Sequence, residues 1–264
     1  MQIQLQNFRM AYDDLGDGQP LLFIHGYPLS RRMWQPQMAG LAMDARMLAI
    51  DLRGHGDSQA TPGPYPLSLL ADDCAAFLDA LGVQRPVVIC GLSMGGYVAF
   101  AFYRQYSSRV SGLVLAATRP DPDTPEGQAN RDKSAALARQ QGVSAIAASM
   151  LPKLLSPGTY QNKPELVKQV RTIMESMSLE GITGDLMGMK ERPDSTPTLA
   201  EIKVPTLVLH GADDQIIPLQ EAESMRDAIP NARLLVLPEA GHLLNLEQPD
   251  LFNQAIKGFI HDQR

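Results

Sequence analysis

Residues 87–103 read Val87-Val88-Ile89-Cys90-Gly91-Leu92-Ser93-Met94-Gly95-Gly96-Tyr97-Val98-Ala99-Phe100-Ala101-Phe102-Tyr103. The run starts as a short apolar, β-branched stretch, the pattern of a buried strand. It ends as an apolar stretch long enough to begin a buried helix. Between the two stands Gly-x-Ser-x-Gly, at 91–95. Strand, sharp turn and helix form the setting in which that spacing presents a serine as a nucleophile. A turn this tight leaves no room for side chains at Gly91 and Gly95. Ser93 also falls at a helix N-terminus, where free N–H groups favour negative charge. The same spacing occurs in ordinary glycine loops, so the reading needs a base, an acid and an oxyanion site elsewhere in the chain.

Upstream, residues 3–5 and 8–12 alternate apolar with polar, as an opening antiparallel hairpin, and 14–20 is turn chemistry. Residues 21–25 read as a buried strand running into Gly26-Tyr27-Pro28. Ser30 is placed to cap a helix carrying Met33, Trp34 and Met38. A strand over 46–51 ends in a polar glycine loop, 51–58, and a helix over 67–81 ends at Gly82. Downstream, a strand over 110–117 is the last before the alternation breaks. Residues 119–201 contain repeated prolines and helical patterns near 127–141, 143–151, 164–176 and 179–190, but no convincing strand. Strand and helix then alternate again: strand 204–210, helix 220–229, strand 233–237 and helix 249–261. This order predicts an α/β fold, a mostly parallel sheet flanked by helices with the hairpin at one edge. Residues 1–118 and 202–264 would form the core, with 119–201 as an inserted helical cap. Ligands bind such sheets beyond the carboxyl ends of the strands, where the loops converge.

The chain has 264 residues, 44% hydrophobic and 20% charged, enough for one sizeable core. A net charge of -6 argues against nucleic acid or an anionic membrane as partner. Cys74 and Cys90 read as two reduced, buried thiols, and no Cys/His spacing suits zinc. The first six residues do not read as a signal peptide, and no apolar run is long enough for a bilayer, so the expected compartment is the cytoplasm. Nothing in the pattern specifies an oligomeric state.

A serine hydroxyl is a poor nucleophile near neutral pH and needs a base held by an acid. Of the five histidines, His261 lies near the tail, His210 ends a strand, and His25 and His55 sit in glycine loops. His242 follows the last strand, in a loop that should reach the same sheet edge as Ser93. Two candidate acids, Asp213 and Asp214, follow the 204–210 strand; Asp121 and Asp123 offer a second location. Loop aspartates also serve as turn and cap residues. Met94 can supply one oxyanion N–H and Tyr27 the second, because Pro28 has none. Trp34 and Leu92 are candidate substrate contacts. Met150, Met174, Met177, Met187 and Met189 either pack a core or line an adaptable apolar pocket.

Five stretches resemble the α/β-hydrolase family: His-Gly-Tyr-Pro at 25–28, Asp-Leu-Arg-Gly-His-Gly-Asp-Ser at 51–58, Gly-Leu-Ser-Met-Gly-Gly at 91–96, Gly-Ala-Asp-Asp-Gln-Ile-Ile-Pro at 211–218 and Gly-His at 241–242. They occur in the family's order, Ser, Asp, His. The chain is most similar to single-domain esterases and enol-lactonases with a helical cap, such as 3-oxoadipate enol-lactonase-like proteins. The resemblance implies a triad of Ser93, Asp214 and His242, since the family's acid stands four residues before the proline of the fourth stretch. Serine at the elbow separates the chain from haloalkane dehalogenases and epoxide hydrolases, which carry Asp there. The 51–58 loop is expected to brace the oxyanion hole. The chemistry needs no metal or cofactor. The expected substrate is a small-molecule carboxylic ester with a small to medium uncharged acyl group, because Lys153, Lys163, Lys168 and Arg171 are too scattered to hold an acidic lactone. Enol-lactone or other lactone opening, perhydrolysis and C–C bond hydrolysis use the same triad. A non-catalytic ligand-binding protein would be favoured by a missing triad member, and none is missing.

Overall fold

The computed structural model describes residues 1–262; the last two residues of the expected 202–264 core segment lie outside the described residues. Its strands are β1 (Gln2–Gln4), β2 (Arg9–Leu15), β3 (Pro20–Ile24), β4 (Arg46–Ile50), β5 (Val87–Leu92), β6 (Val110–Ala116), β7 (Thr206–Gly211) and β8 (Arg233–Leu237). They form one sheet in the order β1-β2-β4-β3-β5-β6-β7-β8. β1 and β2 are the expected edge hairpin, with Ile3 opposite Met10. β2 then pairs antiparallel with β4, Tyr12 facing Ile50 and Leu15 facing Met47, and this pairing carries the strand past Asp14, where turn chemistry suggested it would end. Every pairing from β4 to β8 is parallel. β3 and β5 are buried along their whole length, which is why they read as unbroken apolar runs rather than alternating ones. β7 starts two residues later than its apolar pattern. Pro205 has no N–H to pair, and its carbonyl accepts from Leu113 N at 3.0 Å instead. β8 closes the other edge and leaves Leu235 and Val236 exposed.

Helices flank this sheet: Leu67–Ala80 packs on Met94–Tyr106, and Gln35–Leu41 packs on Pro249–His261. Between β6 and β7 the chain is helical throughout, as Pro125–Gln141, Val143–Leu154, Pro157–Asn162, Pro164–Glu175, Leu179–Lys190 and Thr196–Leu199, with no strand among these described residues. Half of the prolines that interrupt the strand alternation are helix starts. Pro125, Pro157 and Pro164 stand in first turns, where a missing N–H costs nothing. Thr124, Ser156 and Ser178 cap their helices by accepting from Gly127, Thr159 and Gly181 N–H groups.

These helices dock on the 51–58 loop. Ser178 Oγ donates to Gly54 O at 2.7 Å, and Tyr65 N donates to Gly184 O at 3.0 Å. His55 Nε2 and Asp185 Oδ2, both fully buried, lie 3.1 Å apart. Burial lowers the His55 pKa to about 3 and pushes the Asp185 carboxyl well up. The loop itself is held by Asp51, which accepts from Arg31 N at 2.7 Å and Asp57 N at 2.8 Å. Leu52 N donates to His25 Nε2 at 3.0 Å, which ties the loop to the residue before Gly26 and Tyr27.

Candidate active site

Ser93 sits between β5 and the helix Met94–Tyr106 with φ 55° and ψ −113°. A non-glycine residue held there carries strain of order 1–3 kcal/mol. The neighbours leave the chain no alternative path. A Cβ on Gly91 would lie 2.2 Å from Gly95 O, and one on Gly95 would lie 2.2 Å from Ile24 O. The turn is pinned by backbone bonds: Ser93 N donates to Ala116 O at 2.9 Å, and Ser93 O accepts from Gly96 N at 2.9 Å and Thr118 Oγ1 at 2.8 Å. None of these bonds uses the Ser93 hydroxyl. Met94 is the first helical residue, so its N–H is among those the helix leaves without an internal acceptor.

Ser93 and His242 line one cavity of about 90 Å³, with Tyr27, Tyr97, Arg119, Arg131, Met150, Leu154, Met189, Ile216 and Ile217. His242 arrives from the loop after β8, and its Nδ1 lies 2.8 Å from Asp214 Oδ2, in the loop after β7. Burial raises the Asp214 pKa, but the His242 contact and N–H bonds from Ile216 and Ile217 outweigh it and hold the carboxyl below its ordinary range. An ionised Asp214 can only accept, so His242 Nδ1 is the ring nitrogen that donates to it. Asp213, beside it, is exposed and uses its backbone N–H on Ala240 O at 2.8 Å. Asp121 and Asp123 are engaged elsewhere: the Asp121 carboxyl meets Glu221, and the Asp123 carboxylate accepts from Arg131 and Arg192. His210 is a packed histidine, its Nε2 3.1 Å from Ile217 O.

Trp34 and Leu92 do not line this cavity. Trp34 is fully buried, its ring centroid 4.9 Å from Phe23 and 6.0 Å from Phe252. The short helix Arg31–Trp34, capped by Ser30, turns the indole into the core rather than toward the strand ends. Leu92 is the buried last residue of β5 and packs under Gly26. The methionines divide: Met150 and Met189 line the cavity, Met174 and Met177 are core, and Met187 lines a separate surface groove.

The expectation of a wall without clustered cations is also corrected. Lys153, Lys163 and Lys168 are exposed, but Arg119 and Arg131 face the cavity. They share one carboxylate with Arg192. Asp123 accepts from Arg131 Nε at 2.9 Å and Arg192 Nη1 at 2.6 Å, and Arg119 Nη2 stands 3.6 Å away. Arg119 Nε is buried without a hydrogen-bond partner among the described residues. A signal for Arg131 existed in the sequence. It lies four residues before Ala135 and seven before Ala138, both buried, on the inward stripe of the helix Pro125–Gln141. Tyr97, Leu154, Ile216 and Ile217 carried no comparable signal.

Asp123 makes a pH prediction. Burial raises its pKa, but Arg131 and Arg192 outweigh burial and set it below the unfolded value. Its stabilisation is therefore complete above the unfolded carboxyl pKa, near 3.9, and is lost as pH falls through the lower folded value. Asp123→Asn should cost about 3–5 kcal/mol at neutral pH, the cost of breaking a buried pair. Melting midpoints measured from pH 7 to pH 2 should show parent and variant converging at the acid end. A gap that stays constant across that range would remove Asp123 as the charged anchor.

A family model for the alpha/beta hydrolase fold matches residues 19–249. The chain belongs to the alpha/beta hydrolases. Among curated relatives of this alpha/beta hydrolase, 3-oxoadipate enol-lactonase 2 of Acinetobacter baylyi is 31% identical, over 97% of this chain and 94% of that one. Among solved structures, a thermophilic esterase from Thermogutta terrifontis, with malate bound, superposes with a TM-score of 0.96 at 41% identity, covering 100% of this chain and 98% of the other. The enol-lactonase from Burkholderia xenovorans LB400 gives a TM-score of 0.92 at 28% identity, covering 99% and 100%.

Proposed function

We propose that this alpha/beta hydrolase cleaves carboxylic esters of small acyl groups through Ser93, His242 and Asp214. The observation that carries the reading is the 2.8 Å contact of His242 Nδ1 with Asp214, which leaves the other ring nitrogen free in a loop that borders the same cavity as Ser93. His242 takes the Ser93 proton as Ser93 Oγ attacks the ester carbonyl, and the Tyr27 and Met94 N–H groups hold the oxyanion. Asp214 stabilises the imidazolium that forms. His242 then protonates the leaving alcohol, and water releases the acyl group by the same steps in reverse. The helices between β6 and β7 act as a cap over the site, and the substrate is a small molecule.

Cavity volume sets the acyl size. The cavity is small, about 90 Å³, and Met150, Leu154, Met189, Ile216 and Ile217 form its apolar wall. Each buried methylene gains about 0.8 kcal/mol until the space is full, and forcing in one more costs about 1–3 kcal/mol. In a p-nitrophenyl ester series, kcat/KM should peak between acetate and butyrate and fall by hexanoate. A rise continuing to decanoate would rule out a closed acyl pocket.

Arg119 and Arg131 favour a second reading, in which the acyl portion carries a carboxylate, as in an acidic ester or lactone. Two guanidiniums line the cavity and present N–H donors that a substrate carboxylate could meet, beside the Asp123 carboxylate they share with Arg192. A charged hydrogen bond is worth about 1.5–3 kcal/mol, so Arg131→Leu should cut kcat/KM on a carboxylated ester or enol-lactone by about 10- to 150-fold, and on p-nitrophenyl acetate by much less. Equal losses on both substrates would return the uncharged acyl group to first place.

A further inference from the structure

The loops that carry His242 and Asp214 are fastened to one short stretch of the helical region, 154–156, which joins the helices Val143–Leu154 and Pro157–Asn162. Leu243 N donates to Leu154 O at 3.1 Å. Gln215 Nε2, from the residue after Asp214, donates to Leu155 O at 3.1 Å. The third fastening runs through Glu247, which is buried. Its Oε2 accepts from Ser156 N at 2.8 Å and its Oε1 accepts from Gly241 N at 2.8 Å. Gly241 is the residue before His242. It touches the stretch so closely that a Cβ there would lie 2.5 Å from Ser156 N.

A buried carboxylate is costly unless its oxygens are satisfied. Here both are satisfied by backbone donors, one on each side of the seam. We propose that Glu247 is a positioning residue: its carboxylate clamps Gly241 against Ser156 and so sets where the His242 imidazole stands relative to Ser93. The proposal rests on the reading of His242 as the base. A side chain that only stabilised the fold could bond anywhere in the loop. This one grips the peptide beside the histidine and the segment that also holds the Asp214 loop. A displacement of about 1 Å at a reacting group can cost on the order of 10²-fold in rate, while substrate binding changes little.

Glu247→Gln keeps the shape but turns an NH2 group toward one of the two N–H donors, so that one bond is lost and replaced by repulsion. With p-nitrophenyl acetate at saturation, kcat should fall by about tenfold or more and KM by less than about threefold. The downfield proton resonance of His242 Nδ1–H should shift as the imidazole moves against Asp214. A second pair of variants keeps the test alive if Glu247→Gln does not fold. Ser156 has φ −59°, and Leu155 before it is extended, so proline fits the backbone there. Ser156→Pro removes the N–H and the hydroxyl cap; Ser156→Ala removes only the cap. Their ratio reads the loss of the N–H together with the ring that displaces the Glu247 carboxylate from it, and kcat of Ser156→Pro should lie severalfold below that of Ser156→Ala. A folded Glu247→Gln enzyme with parental kcat and an unmoved proton resonance would overturn the clamp, as would equal kcat for the two Ser156 variants. Ser93→Ala belongs in the same assay: turnover surviving there counts against the triad, whereas its loss beside an unaffected Glu247→Gln counts against the clamp alone.

Discussion

Ser93→Ala is expected to lose about 10⁴- to 10⁶-fold in kcat, the scale seen when a triad nucleophile is removed, and to melt at a temperature close to the parent's. Both halves follow from the turn. The chemistry is lost because the other hydroxyl at this turn, Thr118 Oγ1, is committed to Ser93 O. The fold is kept because the bonds that pin residue 93 run through its N–H and carbonyl, to Ala116, Gly96 and Thr118. Alanine keeps those bonds and meets the same positive φ with a side chain no larger than serine's. Initial rates on p-nitrophenyl acetate and a thermal melt, taken on the same preparation, read the two halves separately. Activity above a small fraction of the parent in a normally melting protein would rule out Ser93 as the nucleophile.

Asp214→Asn should cost on the order of 10⁴-fold in kcat, and Asp213→Asn far less. The Asp214 carboxylate accepts from Ile216 N at 2.8 Å and Ile217 N at 3.1 Å through Oδ1, and meets His242 through Oδ2. An asparagine can keep the first set with its carbonyl oxygen. It must then present an NH2 group to His242 Nδ1, which favours the tautomer with the proton on Nε2 and removes the base. Asp213 is exposed, and replacing its carboxylate touches none of this. Single-turnover rates of the two variants at neutral pH make the comparison. The reverse ranking would reassign the acid to Asp213.

Much of this arrangement is legible in the sequence because the deciding residues obey local rules. Apart from β2, which runs three residues past its expected end, the strands read within one or two residues, since a buried strand between turn residues has few other ways to satisfy its backbone. The helices Leu179–Lys190 and Pro249–His261 and the strand β8 begin and end where the pattern places them. Ser93, Asp214 and His242 each follow a strand, and parallel strands deliver their following loops to one edge. The misses have a different character. Pro157–Asn162, Thr196–Leu199 and Leu244–Glu247 are four to six residues long, too short for a periodic signal. Trp34 is near the elbow in expectation, but it is three-dimensional packing on Phe23 and Phe252 that decides which way the indole points. The cavity wall was the least legible part. Arg119 and Arg131 come from a segment whose helices pack by their mutual fit, and a lone arginine on a helix usually faces water. The clamp at Glu247 is hidden for a similar reason: its partners are backbone atoms 6 and 91 residues away, which no side-chain pattern announces.

The order of strands across the sheet also fixes when the site can exist. The elbow follows β5, while the loops of Asp214 and His242 follow β7 and β8, the last two strands of the chain. Residues 93 and 242 are 149 positions apart. At about 5–20 residues per second, a ribosome needs roughly 7–30 s to cover that distance. Throughout that interval the nascent chain holds the serine turn without the histidine loop, and the helical region has been made before the segments that fasten 154–156 in place. A chain stalled anywhere before β8 has been made and paired carries Ser93 with no His242 beside it, so the pairing that the proposed triad needs forms only once the far edge of the sheet is complete.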